Sequence, residues 1–362
     1  MSSNPLQIIS SMADLRAQLM IIRMAGLVGI ILGDPGIGKT EGVDAMLGDL
    51  GVLPAGYVLP EGHTPKNVGF YASQHEGTDI SGYPVLTEDG SALSFKVMQK
   101  LQSLESGDSL TVDEFTMAEE GTLKPFMQLG SGDRPCVNDW VGPEHVTRIF
   151  LGNLATSGNI DYVYNPVMGN RVALFEFTGP TVEEFLAYGM LKGIHPVILA
   201  GIKMNGSSLL LDWNPSRDRN PTPRAWFNAS SMLYAAESLF PEGVPMHIRM
   251  AQIASCVGDP AALDIETLLT LKDKLVPYET VVASPDNAAV PDGMTDPAAQ
   301  FLMATHVANK CVPDDWSAVS VYVARFPIEL QATIINPIVA RFPVLMTTTE
   351  YANFASRTSG LV

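Results

Sequence analysis

Cysteine is nearly absent from this chain. Cys136, Cys256 and Cys311 stand far apart in 362 residues, with no C-x-x-C and no histidine pair at metal spacing. This excludes a disulfide scaffold and leaves the thiols as ordinary buried or half-buried residues of a reducing compartment. Positive charge is scarce too: 22 Lys and Arg stand against 39 Asp and Glu, for a net charge of −17 and a pI near 4.6. Sequence-independent grip on nucleic acid needs basic side chains to neutralise phosphates, so this balance disfavours it, along with anionic membranes and acidic partners. No long apolar run exists. The longest, Met20 to Leu32, is interrupted by Arg23 and falls short of a bilayer span. The first basic residue is Arg16, so no charged segment leads an apolar one as in a signal peptide. The expectation is a soluble, cytoplasmic protein. The six histidines form no triad or metal set, and His75-Glu76 near Asp79 reads as a surface cluster.

What the chain does have is a globular composition, 46% hydrophobic and 17% charged, and one stretch around which the rest is organised. Leu27 to Leu32 is an apolar run suited to a buried parallel strand. It empties into Gly33-Asp34-Pro35-Gly36-Ile37-Gly38-Lys39-Thr40, a full match to G-x-x-x-x-G-K-[ST], and a helical segment starts at Glu41. Glycines let such a loop curl so that backbone N–H groups face a triphosphate, and the helix N-terminus adds its positive dipole end. In this reading Gly33 to Glu41 bind the nucleotide. Lys39 neutralises the β- and γ-phosphates, and the Thr40 hydroxyl ligates Mg²⁺. No N-K-x-D accompanies the loop to read guanine, since Asn309-Lys310 continues with Cys311 and Val312.

The second informative stretch is Asp108 to Glu114, DSLTVDE, a strand rich in β-formers that ends in two carboxylates. A parallel sheet places ligands at its C-terminal edge. Asp113 is expected to hold Mg²⁺, directly or through water, and Glu114 to polarise the attacking water. The strand Val146 to Leu151 ends in Gly152-Asn153, and Asn153 is placed to bond the water or the γ-phosphate. Val68 to Ala72 and Val172 to Phe177 complete five strands of an open parallel α/β sheet with helices on both faces.

Elsewhere the spacing predicts a helix over Pro5 to Met24, which could cover the base, and a Gly/Pro-rich loop over Gly51 to Lys66 with a short strand at Tyr57 to Leu59. His75 to Gly90 reads as loop, Ser94 to Leu104 as helix, Glu119 to Gly130 as helix and Ser131 to Gly142 as hairpin or loop. From Thr181 the periodicity is helical, over Thr181 to Leu191, Pro196 to Met204, Arg224 to Leu239 and Met246 to Cys256. Arg224 falls in a first helical turn, where the dipole disfavours a cation, which suggests a use for its charge. Pro277 to Gln300 reads as a linker, and the remainder as short helices stopped by proline.

With the loop, the Asp113-Glu114 pair, Asn153, Asn170-Arg171 and Pro223-Arg224 in this order, the chain resembles AAA+ ATPases, most of all the MoxR-type branch in its compact bacterial and bacteriophage forms. The resemblance covers roughly residues 15–265. It implies a nucleotide-binding α/β domain over 1–180, a helical lid over 181–265 and a helical C-terminal extension over 266–362. It implies that Asn153 is sensor 1, that Arg171 reaches the neighbouring subunit's γ-phosphate, and that Arg224 is sensor 2. The family follows its finger arginine with an aromatic where this chain has Val172, so Arg134 and Arg148 stand as alternatives. ATP and Mg²⁺ are the implied cofactors. A hexameric homo-oligomeric ring is the implied assembly, and a partner with a von Willebrand factor A domain is implied for remodelling or chaperoning. The rival readings are a nucleic-acid motor or loader, disfavoured by eleven acids against three bases between Glu61 and Glu120, and a non-hydrolysing switch, disfavoured by the intact acid pair.

Overall fold

A computed structural model describes residues 6–49, 51, 53, 56–154, 172–272 and 275–358. The chain divides into two compact units, Met1–Pro180 and Thr181–Val362. The first is an α/β unit. Its described residues form a parallel sheet in the order β1-β10-β2-β9-β6-β3. These strands are β1 (Gln7–Ile9), β2 (Val28–Leu32), β3 (Asn67–Tyr71), β6 (Ser109–Asp113), β9 (Thr147–Gly152) and β10 (Ala173–Phe177).

Strand β2 lies inside the sheet because it has no polar side chain to offer solvent: all five of its residues are buried. It pairs on one side with β10, Ile31 opposite Phe175, and on the other with β9, Ile30 opposite Phe150. Helix α1 (Met12–Ala25) covers one face through Leu15, Leu19 and Ile22. Gly29 permits that approach, since a Cβ there would stand 2.7 Å from the Ile22 Cδ1. Ser11 starts the helix by accepting the Asp14 N–H at 3.0 Å, and Gly26 ends it in the left-handed conformation. A core of Phe70, Leu110, Val112, Phe115, Phe126 and Phe150, among others, is closed by α5 (Glu120–Leu129). Burying one such aromatic or aliphatic side chain contributes about 1.5–3 kcal/mol.

All five expected strands are present, and a sixth joins them. The helix expected over Pro5 to Met24 begins only at Met12; Gln7–Ile9, inside the expected span, is instead β1, which pairs in parallel with β10, Ile8 opposite Glu176. Three residues carry too little alternation to announce a strand; an available sheet edge makes it. Tyr57 to Leu59 is not a strand, and its two ends pack instead on Gly107, where a Cβ would meet the Leu59 Cδ2 at 2.4 Å. The expected loop His75 to Gly90 holds a helical turn, α3 (Gly77–Ser81), and the strand β4 (Tyr83–Leu86). The expected helix Ser94 to Leu104 is split between β5 (Leu93–Lys96), the antiparallel partner of β4, and the short helix α4 (Gln99–Gln102). The hairpin between Ser131 and Gly142 is formed by β7 (Cys136–Val137) and β8 (Trp140–Val141).

The second unit is helical throughout its described residues. Its helices at Val182–Leu191, Pro196–Asn205, Pro223–Leu239 and Met246–Val257 follow the expected spans closely. A further helix, Asp259–Lys272, runs through the boundary expected at 265/266. Two hydrophobic cores meet along the helix Pro297–Lys310, which gives Phe301 and Leu302 to one and Met303, Ala304 and Val307 to the other. The stretch expected as a linker contains the helix Tyr278–Ala283, whose Tyr278 and Val281 are buried in the second core. Alternating prolines and acids hid those anchors. No helix of the described residues is long and apolar enough to cross a membrane.

Candidate functional site

The glycine loop leaves β2 at its C-terminal end and enters α2 (Lys39–Leu47). Gly36 and Gly38 take positive φ angles of 77° and 102°, a region that L side chains rarely adopt. Gly33 is fixed for another reason: a Cβ there would fall 2.3 Å from the carbonyl oxygen of Phe177. Gly38 is the N-cap of α2 and makes no side-chain cap hydrogen bond, at a helix end whose dipole favours an anion. Asp34, Pro35 and Gly36 are half-buried, Ile37 is buried, and Glu41 is exposed in the first turn. Burial pushes the Asp34 carboxyl above its ordinary value, against the pull of the Lys39 ammonium.

Lys39 is 8% exposed, and its ammonium donates to the carbonyls of Gly33 at 2.8 Å and Asp34 at 2.9 Å. A third bond, 3.1 Å long, goes to Oδ1 of Asn153 at the tip of β9. The Thr40 hydroxyl donates to Oδ2 of Asp113 at 2.8 Å. The fold therefore brings together Lys39, Thr40, Asp113 and Asn153, which the sequence places on three separate strand ends. Glu114 follows Asp113 with φ 54°, an unusual backbone for a non-glycine residue. Its N–H donates to Asp113 Oδ1 at 2.7 Å, and its carboxylate accepts from the Ser73 hydroxyl just beyond β3. Three carboxylates gather on this side of α2. The Asp44 carboxyl is raised first by burial and then by Glu41 and Asp113.

The expected arginines divide. Arg171 lies outside the described residues, as does Asn170. Arg148 is buried inside the sheet, 1% exposed, and donates to the carbonyls of Gly132 at 2.9 Å and of Ser131 and Gly26 at 3.4 Å. A guanidinium held this way cannot reach a neighbouring molecule, so Arg148 is set aside as an alternative finger. Arg134 is exposed beside Glu144 on the hairpin loop. Arg224 belongs to the second unit. It is exposed in the first turn of the helix Pro223–Leu239, which Thr222 caps by accepting the Ala225 N–H at 3.2 Å.

Sequence reasoning missed Ser73 and Thr116. Thr116 is fully buried in the turn after β6 and bonds the backbone of Asn153. Neither residue sits in a recognisable pattern, and only the pairing of β3, β6 and β9 brings them to the site. No group of three or more metal-ligating side chains is found among the described residues.

No family model matches the chain, and no curated protein does. Among solved structures the chain is similar to the ADP form of the ORC2 protein of Aeropyrum pernix, at 13% identity over 91% of this chain and 94% of that one, with a TM-score of 0.43. It is also similar to NtrX of Brucella abortus in complex with ATP, at 14% identity, 97% and 68% coverage and a TM-score of 0.40. The RuvB Holliday junction branch migration motor of Thermotoga maritima matches at 13% identity, 76% of each chain and a TM-score of 0.36. These likenesses are loose, and the α/β fold stands on the strand order and loop geometry described above.

Proposed function

We propose that the first unit binds ATP in the loop Gly33 to Glu41 and hydrolyses it. One observation carries the reading: Lys39, Thr40, Asp113 and Asn153 converge by hydrogen bonds at the C-terminal edge of a parallel sheet, beside the N-terminus of α2. The Thr40 hydroxyl and Asp113 carboxylate are hard oxygen donors 2.8 Å apart, a set that suits Mg²⁺, which would supply charge neutralisation to the phosphates when bound. Glu114 stands next to this pair and acts as the group that orients and polarises water. Lys39 answers the phosphate charge, and Asn153 holds the polar contact opposite the loop.

The finer assignments rest on the resemblance in sequence. They are a MoxR-type ATPase working as a hexameric ring, with Arg171 acting on the neighbour's nucleotide and Arg224 acting as sensor 2 in a lid over 181–265. A helical extension over 266–362 and a protein partner carrying a von Willebrand factor A domain complete the proposal. The charge balance of −17 supports a protein substrate over a nucleic acid. Equilibrium binding of ATP to the parent and to Lys39→Ala tests the site. A charge-assisted bond contributes about 1.5–3 kcal/mol, so the variant is expected to bind about tenfold or more weakly. Equal binding by the two proteins removes the assignment.

A further inference from the structure

Thr116 lies three residues beyond Asp113, in a short turn (Phe115–Met117) that caps the end of β6. Its side chain is fully buried, and its oxygen engages both backbone polar groups of Asn153. The Asn153 N–H donates to Thr116 Oγ1 at 2.9 Å, and the Thr116 hydroxyl donates to the Asn153 carbonyl at 3.2 Å. The sheet explains why a side chain is needed here. Strands β6 and β9 pair in register only as far as Val112 opposite Phe150, after which β6 turns away at Asp113 and Glu114. Asn153, beyond the last rung, is half-buried and would otherwise present backbone groups with no ladder partner. Thr116 replaces that rung.

The contact is built on both sides. The Thr116 methyl sits where a Cβ at Gly152 would come within 2.6 Å, so glycine at 152 is what lets the two segments close. Phe115, next in the turn, packs edge-on against Phe150 of β9 with ring centroids 5.1 Å apart. With its backbone held, Asn153 aims Oδ1 at the Lys39 ammonium and lays Nδ2 3.5 Å from the Met117 sulfur. A continuous path thus runs from the Asp113-Glu114 turn through Thr116 and Asn153 to Lys39.

We infer that Thr116 is a positioning residue for hydrolysis, fixing Asn153 relative to Glu114 and Lys39 through a paired backbone clamp; the inference rests on the ATPase reading of the same site. Thr116→Val keeps the shape and removes both bonds, whereas Thr116→Ser keeps the hydroxyl and loses only the methyl. Thr116→Val is expected to lower kcat about 10- to 100-fold with ATP affinity held within about threefold, because a small displacement of a polar group costs rate far more than binding. Thr116→Ser should restore most of the loss. In an Asn153→Ala background, Thr116→Val should have little further effect, since the clamp would have no amide left to aim. Thr116→Ala is the alternative truncation if the valine variant does not fold, and it is read the same way.

The inference is overturned if the truncation leaves kcat unchanged, if serine fails as badly as valine, or if the losses simply multiply in the double variant. Hydrogen exchange at the Asn153 amide separates this idea from the function it rests on. Exchange should speed up in Thr116→Val and not in Thr116→Ser, with or without turnover. A parent protein that binds no ATP removes the functional reading, whereas unchanged exchange at Asn153 removes the clamp.

Discussion

Two aspartates five positions apart, at opposite ends of β6, have opposite surroundings. Asp108, just before β6 begins, is fully buried and saturated by the chain itself. It accepts the N–H groups of Lys66 at 3.0 Å and Glu105 at 2.9 Å, and its Oδ1 lies 2.8 Å from Nε2 of His63. The other nitrogen of that imidazole is 3.3 Å from Glu105, so a whole loop is tied to the foot of the sheet. Asp113, at the opposite end of β6, is half-buried and shares its oxygens between the Thr40 hydroxyl and the Glu114 N–H. The strand direction separates them. In a parallel sheet the N-terminal ends meet loops that return from helices, while the C-terminal ends face the loops that hold ligands. The same side chain is therefore a buried fastener at one end and a half-buried acceptor beside the glycine loop at the other.

The largest expected effect lies just past the second aspartate. Glu114→Gln should bind ATP like the parent and turn over about 10²–10⁴-fold more slowly, because an amide cannot take the proton a general base takes. Steady-state kinetics beside a binding isotherm checks this, and loss of binding would break the division of labour. Mixing this variant with Arg171→Ala sharpens it. If Arg171 acts across a subunit boundary, some mixed interfaces pair an intact arginine with an intact Glu114, and activity partly returns. A mixture that exchanges subunits and stays inactive turns attention to Arg134.

The two aspartates themselves should part company in a single pair of experiments. Asp108→Ala removes the acceptor for two backbone donors and a buried imidazole, and is expected to cost about 3–5 kcal/mol in urea unfolding. Asp113→Asn should leave the unfolding midpoint close to that of the parent and raise the Mg²⁺ concentration needed for turnover. If Asp113→Asn unfolds as easily as Asp108→Ala, the contrast between the two ends of β6 fails.

The smallest effect is expected from Ser73→Ala. It deletes one exposed hydroxyl that donates to Glu114, a bond of about 0.5–1.5 kcal/mol, so kcat should shift by no more than about tenfold. A change as large as that of Glu114→Gln would promote Ser73 from neighbour to participant.

The glycine loop was readable because every requirement it meets is local. Gly36 and Gly38 need their φ angles, Lys39 and Thr40 need adjacent helical positions, and β2 needs an unbroken apolar run. The strands bearing Asp113 and Asn153 were readable for the same reason, being short runs of β-formers with polar tips. Strand β1 was not, because its pairing with β10 is a property of a sheet edge that three residues cannot announce. Nor was Arg148: an arginine within a strand looks like a charge on offer until the carbonyls of Gly26, Ser131 and Gly132 are seen around it.

Sequence alone determined the loop, the acid pair and the asparagine as separate pieces, since backbone conformation and hydrophobic period act over a few neighbouring residues. The tertiary structure decided which pieces touch. Lys39 meets Asn153, Thr40 meets Asp113, Thr116 clamps Asn153 and Ser73 meets Glu114 because β3, β6, β9 and β2 lie side by side in an order that the chain does not follow. That order is set by packing whole apolar faces against helices, a sum over the entire core that no short stretch of residues contains.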